Sequence, residues 1–144
     1  MAIATYDPRN VIVTYNGQTI SGFGADSIIK VSRTEDSWTF KPSASGGGAR
    51  SRNPNKQGTI EITLQNKSPS MAVLSAFAVA DELRGEGVGE FLVKDASTNA
   101  ALCQARNAWI KKPADWERHK EVGETTWTLE TDEVSIVHDG LLNA

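Results

Sequence analysis

The sequence predicts a mainly β protein, a two-sheet β-sandwich or barrel with one flanking α-helix. Three observations carry this expectation. The runs GTIEITLQ (Gly58–Gln65) and ETTWTLET (Glu124–Thr131) alternate apolar and polar side chains, as a strand does when one face meets a core and the other meets water. Asn16-Gly17 sits between two β-branched runs, and this pair marks a tight hairpin because both turn residues need φ > 0. A single stretch, Met71–Leu83, has the Ala- and Leu-rich composition of a helix.

The elements follow in order. Val11–Tyr15 and Gln18–Ile20 form the two arms of the Asn-Gly hairpin, and Gly22-Phe23-Gly24 breaks the chain after it. Ser27–Arg33 reads as a strand and Trp38–Phe40 as a shorter one. A loop at about 42–57 then leads into Gly58–Gln65, where Ile60, Ile62 and Leu64 point inward and Glu61, Thr63 and Gln65 outward. Ser68 is placed to cap the helix and Pro69 to occupy its first position, where a missing N–H does no harm. The helix is apolar on nearly every side, which predicts cover on more than one face, and Gly85 stops it. Glu90–Lys94 is a strand, followed by a polar turn over Asp95–Asn99. The pattern of Ala101–Ile110 suits a strand or a helix. The short turn before it favours a return strand. Lys111–Glu121 is a charged, irregular connection. In Glu124–Thr131, Trp127 and Leu129 face inward and Thr126, Thr128 and Glu130 outward. Val134–Ile136 adds a short strand, and Asp139–Ala144 is a loose tail.

A chain of 144 residues is one domain by default, long enough to form a core without disulfides or metals. Cys103 is the only cysteine, so neither an internal disulfide nor a cysteine-based zinc site is available, which suits a reducing, cytoplasmic folding compartment. The N-terminus lacks the basic and apolar segments of a secretory signal, and no window approaches a membrane span. The net charge of −3 argues against a general nucleic-acid binder.

Catalytic signals are missing from the sequence. Gly46-Gly47-Gly48 is followed by Ala-Arg-Ser and a strand, where a phosphate-binding loop needs Gly-Lys-Ser/Thr and a helix. Gly85-Glu86-Gly87-Val88-Gly89 follows a helix, where a dinucleotide site would open one. His119 and His138 have no ligand-spaced partners, and Cys103 reads as a core thiol. Asp81-Glu82 reads as a solvated helix end. No catalytic residue, metal or cofactor is expected, and the chain is not expected to be an enzyme.

The segment KPSASGGGARSRNPNK (Lys41–Lys56) remains. It carries Lys41, Arg50, Arg52 and Lys56 with no acidic residue. Three readings stay open: a solvated surface loop, an arm of a small nucleic-acid-binding module, or a basic loop that docks on the acidic surface of another copy of the chain. The segment contains no aromatic side chain for base stacking, which counts against the second.

Several stretches resemble the tail tube proteins of contractile-tailed bacteriophages. They are Tyr6-Asp7-Pro8, ISGFGADSIIKVSRTEDSW (Ile20–Trp38), RSRNPNKQGTIEITLQNKSPS (Arg50–Ser70), FLVKD (Phe91–Asp95) and AWIKKPADWERHKEVGETTWTLE (Ala108–Glu130). Their order and spacing carry the resemblance, and KPSASGGGA (Lys41–Ala49) departs from it in being richer in glycine and serine. The resemblance implies a single tail tube domain over residues 1–144. Its subunits form hexameric rings that stack into a hollow tube inside a contractile sheath, with neighbouring sheets joined around the lumen. The lumen would hold the tape measure protein and conduct DNA without sequence-specific binding. Related tubes occur in type VI secretion and tailocins. The implied location is the virion tail, after assembly in the host cytoplasm, with no membrane binding by the monomer. On this basis Glu61, Thr63, Gln65, Thr126, Thr128 and Glu130 are expected to face the lumen, where a neutral-to-negative wall repels phosphates. Lys41, Gly46, Gly47, Gly48, Arg50, Arg52 and Lys56 are expected in a mobile inter-ring loop. Met71, Leu74 and Phe77 are expected to present the helix to a neighbouring subunit.

Overall fold

The computed structural model describes residues 11–23, 29–95, 100–118 and 120–138. Tyr6-Asp7-Pro8, Gly24, Ser27, the turn after Asp95, His119 and the tail from Asp139 lie outside these residues. β1 (Val11–Tyr15) and β2 (Gln18–Ile20) are joined by Asn16 and Gly17 at φ 51° and 81°, the positive-φ pair that the sequence calls for. β3 (Ile29–Arg33) pairs with β6 (Gly58–Gln65). β7 (Gly89–Asp95), β8 (Ala100–Lys112), β9 (Glu124–Thr131) and β10 (Ser135–Ile136) complete an antiparallel sheet of eight strands. Its path is β2-β1-β7-β8-β9-β6-β3, with β10 also on β8. Ala101–Ile110 is therefore strand, as its short turn favoured.

This sheet curls back on itself. The chain leaving β2 reaches β6, where Phe23 bridges Leu64 and Gln65 N–H donates to the Gly22 carbonyl at 2.8 Å. Curling lets one sheet surround its own core, so the fold is barrel-like. The second sheet of the expected pair is not a facing layer. It is a two-stranded ribbon, β4 (Trp38–Pro42) with β5 (Gly48–Arg52), standing apart from the barrel.

The core is built from the inward half of each alternating strand. Ile60, Ile62 and Leu64 of β6 are fully buried, as are Leu129, Tyr15 and Phe91. Burying each such aliphatic side chain contributes roughly 1.5–3 kcal/mol. The helix α1 (Ser70–Arg84) packs against this cluster through Leu74 and Ala78. Phe77 meets Tyr15 edge-on with ring centroids 5.2 Å apart, and Trp127 Nε1 donates to Met71 Sδ at 3.2 Å.

The helix starts one residue later than the sequence suggests: Pro69, expected at the first helical position, is the cap residue, and it makes no side-chain cap hydrogen bond. Ser68 Oγ accepts from Ser70 N–H at 3.2 Å across Pro69, and Gly85 ends the helix in the left-handed conformation at φ 67°. Ser68 Oγ also donates to the Ser21 carbonyl, and Ser21 N–H donates to Ser70 Oγ, tying the helix start to the chain leaving β2. Gly22 is required there, because a Cβ would lie 2.5 Å from Ser68 Cβ.

One expectation about the helix is overturned. Leu74 is fully buried in its own subunit, and Met71 and Phe77 pack against the same core, so this stripe faces inward. The outward stripe is Ala72, Ala76, Val79 and Leu83, with Val79 50% and Leu83 76% exposed. The helix is thus covered on one face by its own barrel.

Tyr15 is a fully buried core residue that carries a polar hydroxyl. Its hydroxyl donates to the Gly87 carbonyl at 2.6 Å. Its pKa is pushed up to about 12, first by burial and then by the nearby Asp81 carboxylate. The neutral phenol is therefore the form that the fold favours. Its contribution to stability is complete below about pH 10, where an unfolded tyrosine is still protonated, and is lost as pH rises through 12. Spectrophotometric titration should show Tyr15 resisting ionisation until the chain unfolds, and Tyr15→Phe should remove that late step. Leu74→Ala should cost about 2–5 kcal/mol in urea unfolding, as expected for a cavity in a sealed core.

Candidate assembly interface

Three exposed surfaces stand out on the molecule. The first is the β4–β5 arm. Every residue of both strands is exposed, including Phe40 at 64% and Trp38 at 41%. The ladder pairs Trp38 with Arg52 and Phe40 with Arg50. Directly opposed residues share a face, so two aromatic rings and two guanidinium groups lie together. Arg50 stacks on Trp38 at 3.8 Å from the ring centroid, and Arg52 lies at 5.1 Å. At an exposed site such a stack contributes about 0.5–1 kcal/mol. Lys41 pairs with Ala49 and belongs to the opposite face.

The base of the arm is pinched. Asn53 N–H donates to the Ser37 carbonyl at 2.8 Å, and Asn53 Nδ2 donates to Glu35 Oε2 at 2.8 Å. That donation, with a second from Asn55, holds the Glu35 carboxyl below its usual range. Gly46 and Gly47 form the tip at φ 90° and 71°. Gly48 is in the ladder, where a Cβ would lie 2.7 Å from both Phe40 Cζ and the Lys41 carbonyl.

The segment 42–57, expected as a mobile loop, therefore contains a paired strand and a short tip. The sequence reading stopped β4 at Phe40 and saw only glycine, serine and charge beyond it. The arm also brings aromatic rings onto the arginines, removing the objection that the basic segment has nothing to stack on bases. Lys56 is not with the arm: its Nζ lies 3.8 Å from Glu133 Oε1, at the barrel.

The second surface is the outer face of β6 and β9. Glu61 pairs with Thr128, and Thr63 with Thr126, their Oγ1 atoms 3.1 Å apart. Glu130 Oε1 accepts from Gln57 Nε2 at 2.9 Å. The six polar residues expected on one face share it, opposite Ile60, Ile62, Trp127 and Leu129. Lys30 beside Glu61 and Lys112 beside Thr128 make this face mixed in charge.

The third is the segment after β8, where Trp116 is 79% and Val122 67% exposed. It borders a groove of about 820 Å³ reaching Met71, Ala72 and Trp127, and a smaller cleft of about 240 Å³ beside Thr126 and Thr128. Sequence reasoning reached this segment only as a charged, outward connection over Lys111–Lys120 suited to the sheath, and missed its groove and exposed Trp116, the outward helix stripe and the aromatics of the arm. Trp38-x-Phe40 and Arg50-x-Arg52 each repeat at the strand period, and that was the available signal for the arm.

No catalytic arrangement accompanies these surfaces among the described residues. No group of three His, Cys, Asp or Glu side chains there is placed to hold a metal ion. Cys103 is half-buried and its thiol is pushed up by burial, away from the reactive thiolate. Asp81 Oδ1 accepts from Gly87 N–H at 3.2 Å, which shapes the helix exit. No described helix is long and apolar enough to cross a membrane.

No family model matches the sequence. The chain is 26% identical to Structural protein ORF10 of Pseudomonas phage KPP10 over 145 residues, which covers 95% of this chain and 83% of that protein. Among solved structures, a chain of the sheath/tube terminator of an extracellular contractile injection system (PVC, extended state) matches with a TM-score of 0.65 and 12% identity. The match covers 96% of this chain and all (100%) of the other. A chain of the PVC sheath-tube complex in the extended state matches with a TM-score of 0.58 and 11% identity, over 92% and 93%. The first of these is named a structural protein, and the other two belong to sheath and tube assemblies. By its barrel, its flanking helix and its sequence, the chain resembles the tail tube proteins of phages and contractile injection systems.

Proposed function

We propose that the chain is a structural subunit of a phage tail tube. In this reading hexameric rings stack into a hollow tube that conducts DNA inside a contractile sheath, with the tape measure protein in the lumen before ejection. The protein is made in the host cytoplasm and ends in the virion tail. The observation that carries the reading is the arm. A lone two-stranded ribbon is marginal in water, and this one exposes two aromatic rings far from its own core. Such a device is useful to a subunit that finds another subunit. Fold likeness to a tube complex along nearly the whole chain points the same way.

The polar face of β6 and β9 suits the lumen. Its side chains are threonine, glutamine and carboxylates, with Lys30 and Lys112 interspersed. A wall without a large basic patch gives DNA phosphates little to adhere to. The outward helix stripe of Ala72, Ala76, Val79 and Leu83 suits contact between neighbours in a ring, replacing the inward stripe named from sequence.

A second reading is favoured by one observation. The fold matches the sheath/tube terminator chain with the higher TM-score, 0.65 against 0.58 for the sheath-tube complex chain. A terminator, by its name, ends a tube and does not extend it. The two readings differ in polymer length. Negative-stain images of concentrated protein should show long hollow tubes for a tube subunit and isolated rings for a terminator. A monomer at every concentration would refute both. A salt-sensitive gel shift with DNA, lost in Arg50→Gln/Arg52→Gln, would favour the nucleic-acid-binding module instead.

Replacing Trp38–Arg52 by a short glycine linker should leave the barrel folded, because Ser37 and Asn53 already meet at the base. Tubes should be lost while the thermal midpoint changes by only a few degrees. Trp38→Ala should change global stability by less than about 0.5 kcal/mol, because the ring lies outside the core. It should nevertheless speed hydrogen exchange across β4 and β5.

A further inference from the structure

The wide groove beside the helix start is charged, and a thioether forms part of its wall. Lys67, Arg118 and Lys120 line it together with Asp115, Glu117 and Glu121. Charged side chains of both signs draw water into a space of about 820 Å³. Met71 and Trp127 line the same space. Met71 is half-buried there, while Trp127 is a core residue at 5% exposure.

Trp127 gives that sulfur its importance. An indole N–H can only donate, and a buried donor needs a partner. Trp127 Nε1 donates to Met71 Sδ at 3.2 Å, and the sulfur is the acceptor that the structure gives it. A thioether is a weak acceptor, and its lone pairs are also the nucleophile that peroxides meet. One side chain therefore serves the core on one side and faces a wet groove on the other. Its backbone has little freedom to adjust. Met71 N–H donates to the Ser68 carbonyl at 3.1 Å, and the neighbouring Ser70 Oγ accepts from Ser21 N–H at 2.9 Å.

We propose that Met71 is an oxidation site reached from the groove, and that the Trp127 indole N–H restrains its reaction with peroxides. The sulfur lone pair attacks one oxygen of hydrogen peroxide. The O–O bond breaks, an S=O bond forms, and the other oxygen leaves as water after taking the proton of the first. One electron pair passes from sulfur to peroxide, giving the sulfoxide. Its sulfur carries partial positive charge and no longer accepts from the indole. The new oxygen turns into the groove, because the other side of Met71 is packed against the core. Oxidation thus orphans a buried donor and loosens the first turn of α1 from β9. The site needs no second copy of the chain, so it stands apart from the tube reading.

Dilute hydrogen peroxide on the full folded chain tests it, read by peptide mass. Met71 should gain one oxygen, more slowly than in the same chain unfolded in urea. Trp127→Phe should speed the folded reaction by about threefold to tenfold, because the lone pair is released. In the wild-type protein, oxidation should move the Trp127 indole N–H resonance, assigned through bonds, and leave that of Trp38 on the arm in place. It should also lower the thermal midpoint by at least about 3 °C. In Trp127→Phe, which has no donor to orphan, the same oxidation should lower the midpoint less. That comparison separates a lost hydrogen bond from crowding by an extra oxygen. Met71→Leu should keep its midpoint under the same treatment, which removes any contribution from Cys103. If Trp127→Phe does not fold, the wild-type resonance decides. Met71 unmodified in the folded chain, at a dose that oxidises the unfolded one, would overturn the site. A Trp127 resonance that stays put, or an equal loss of midpoint in Trp127→Phe, would overturn the role of the indole.

Discussion

β6 carries the register on which the rest of the molecule depends. It is hydrogen-bonded to β9 along all of its residues and to β3 over its first half, with Phe23 bridging it near its end. Ile60, Ile62 and Leu64 fill the core from this one strand. Because the side-chain period of a strand is two, a slip of one residue would turn Glu61 and Thr63 inward and all three aliphatic residues outward. Ladders on both flanks fix the choice, and with it the composition of the outer face. At Gly58 the packing is close enough that a Cβ would lie 2.5 Å from Val134 Cγ1. The strand is thus held at its end as well as along its edges.

From that register the molecule acquires a direction. One end of β6 is continuous with the arm, and the other meets the helix start, where Ser68 and Ser70 bond the chain leaving β2. The wet face runs between the ends, and the helix lies over the core. A sheet that curls until its first and last parts meet has little edge to offer a stranger. What the barrel offers to a partner is what projects from it and the side chains on its faces, which are more selective than a bare strand edge.

Much of this was legible in the sequence, because it rests on local pattern. The β6 and β9 ranges, the Asn16-Gly17 turn, the helix with its glycine stop, and the shared face of the six polar residues all follow from a period of two or from turn chemistry. What was not legible depends on distant partners. Leu74 and Ala72 are both good helix formers, and only the barrel decides which one is sealed. The arm was read as a loop because Gly48, Ala49 and Ser51 carry no strand preference. Their strand geometry comes from pairing with Trp38–Pro42, which no window of β5 alone contains. The groove near Trp116 is formed by an irregular segment against the helix, and irregular backbone has no period to detect.

The pinch between Ser37 and Asn53 makes the arm topologically an insertion. The chain enters and leaves the barrel across the Thr34–Gln57 and Ser37–Asn53 backbone hydrogen bonds, so the register of β3 on β6 does not depend on what the ribbon contains. Doubling the length of a flexible tip adds only about 0.6 kcal/mol of closure cost. Length and composition of the ribbon can therefore drift while the barrel stays fixed, and the glycine- and serine-rich tip is where the sequence departs from its resemblance. Two proteins could share this barrel and still present different surfaces, because the ribbon is a cassette that folding does not inspect.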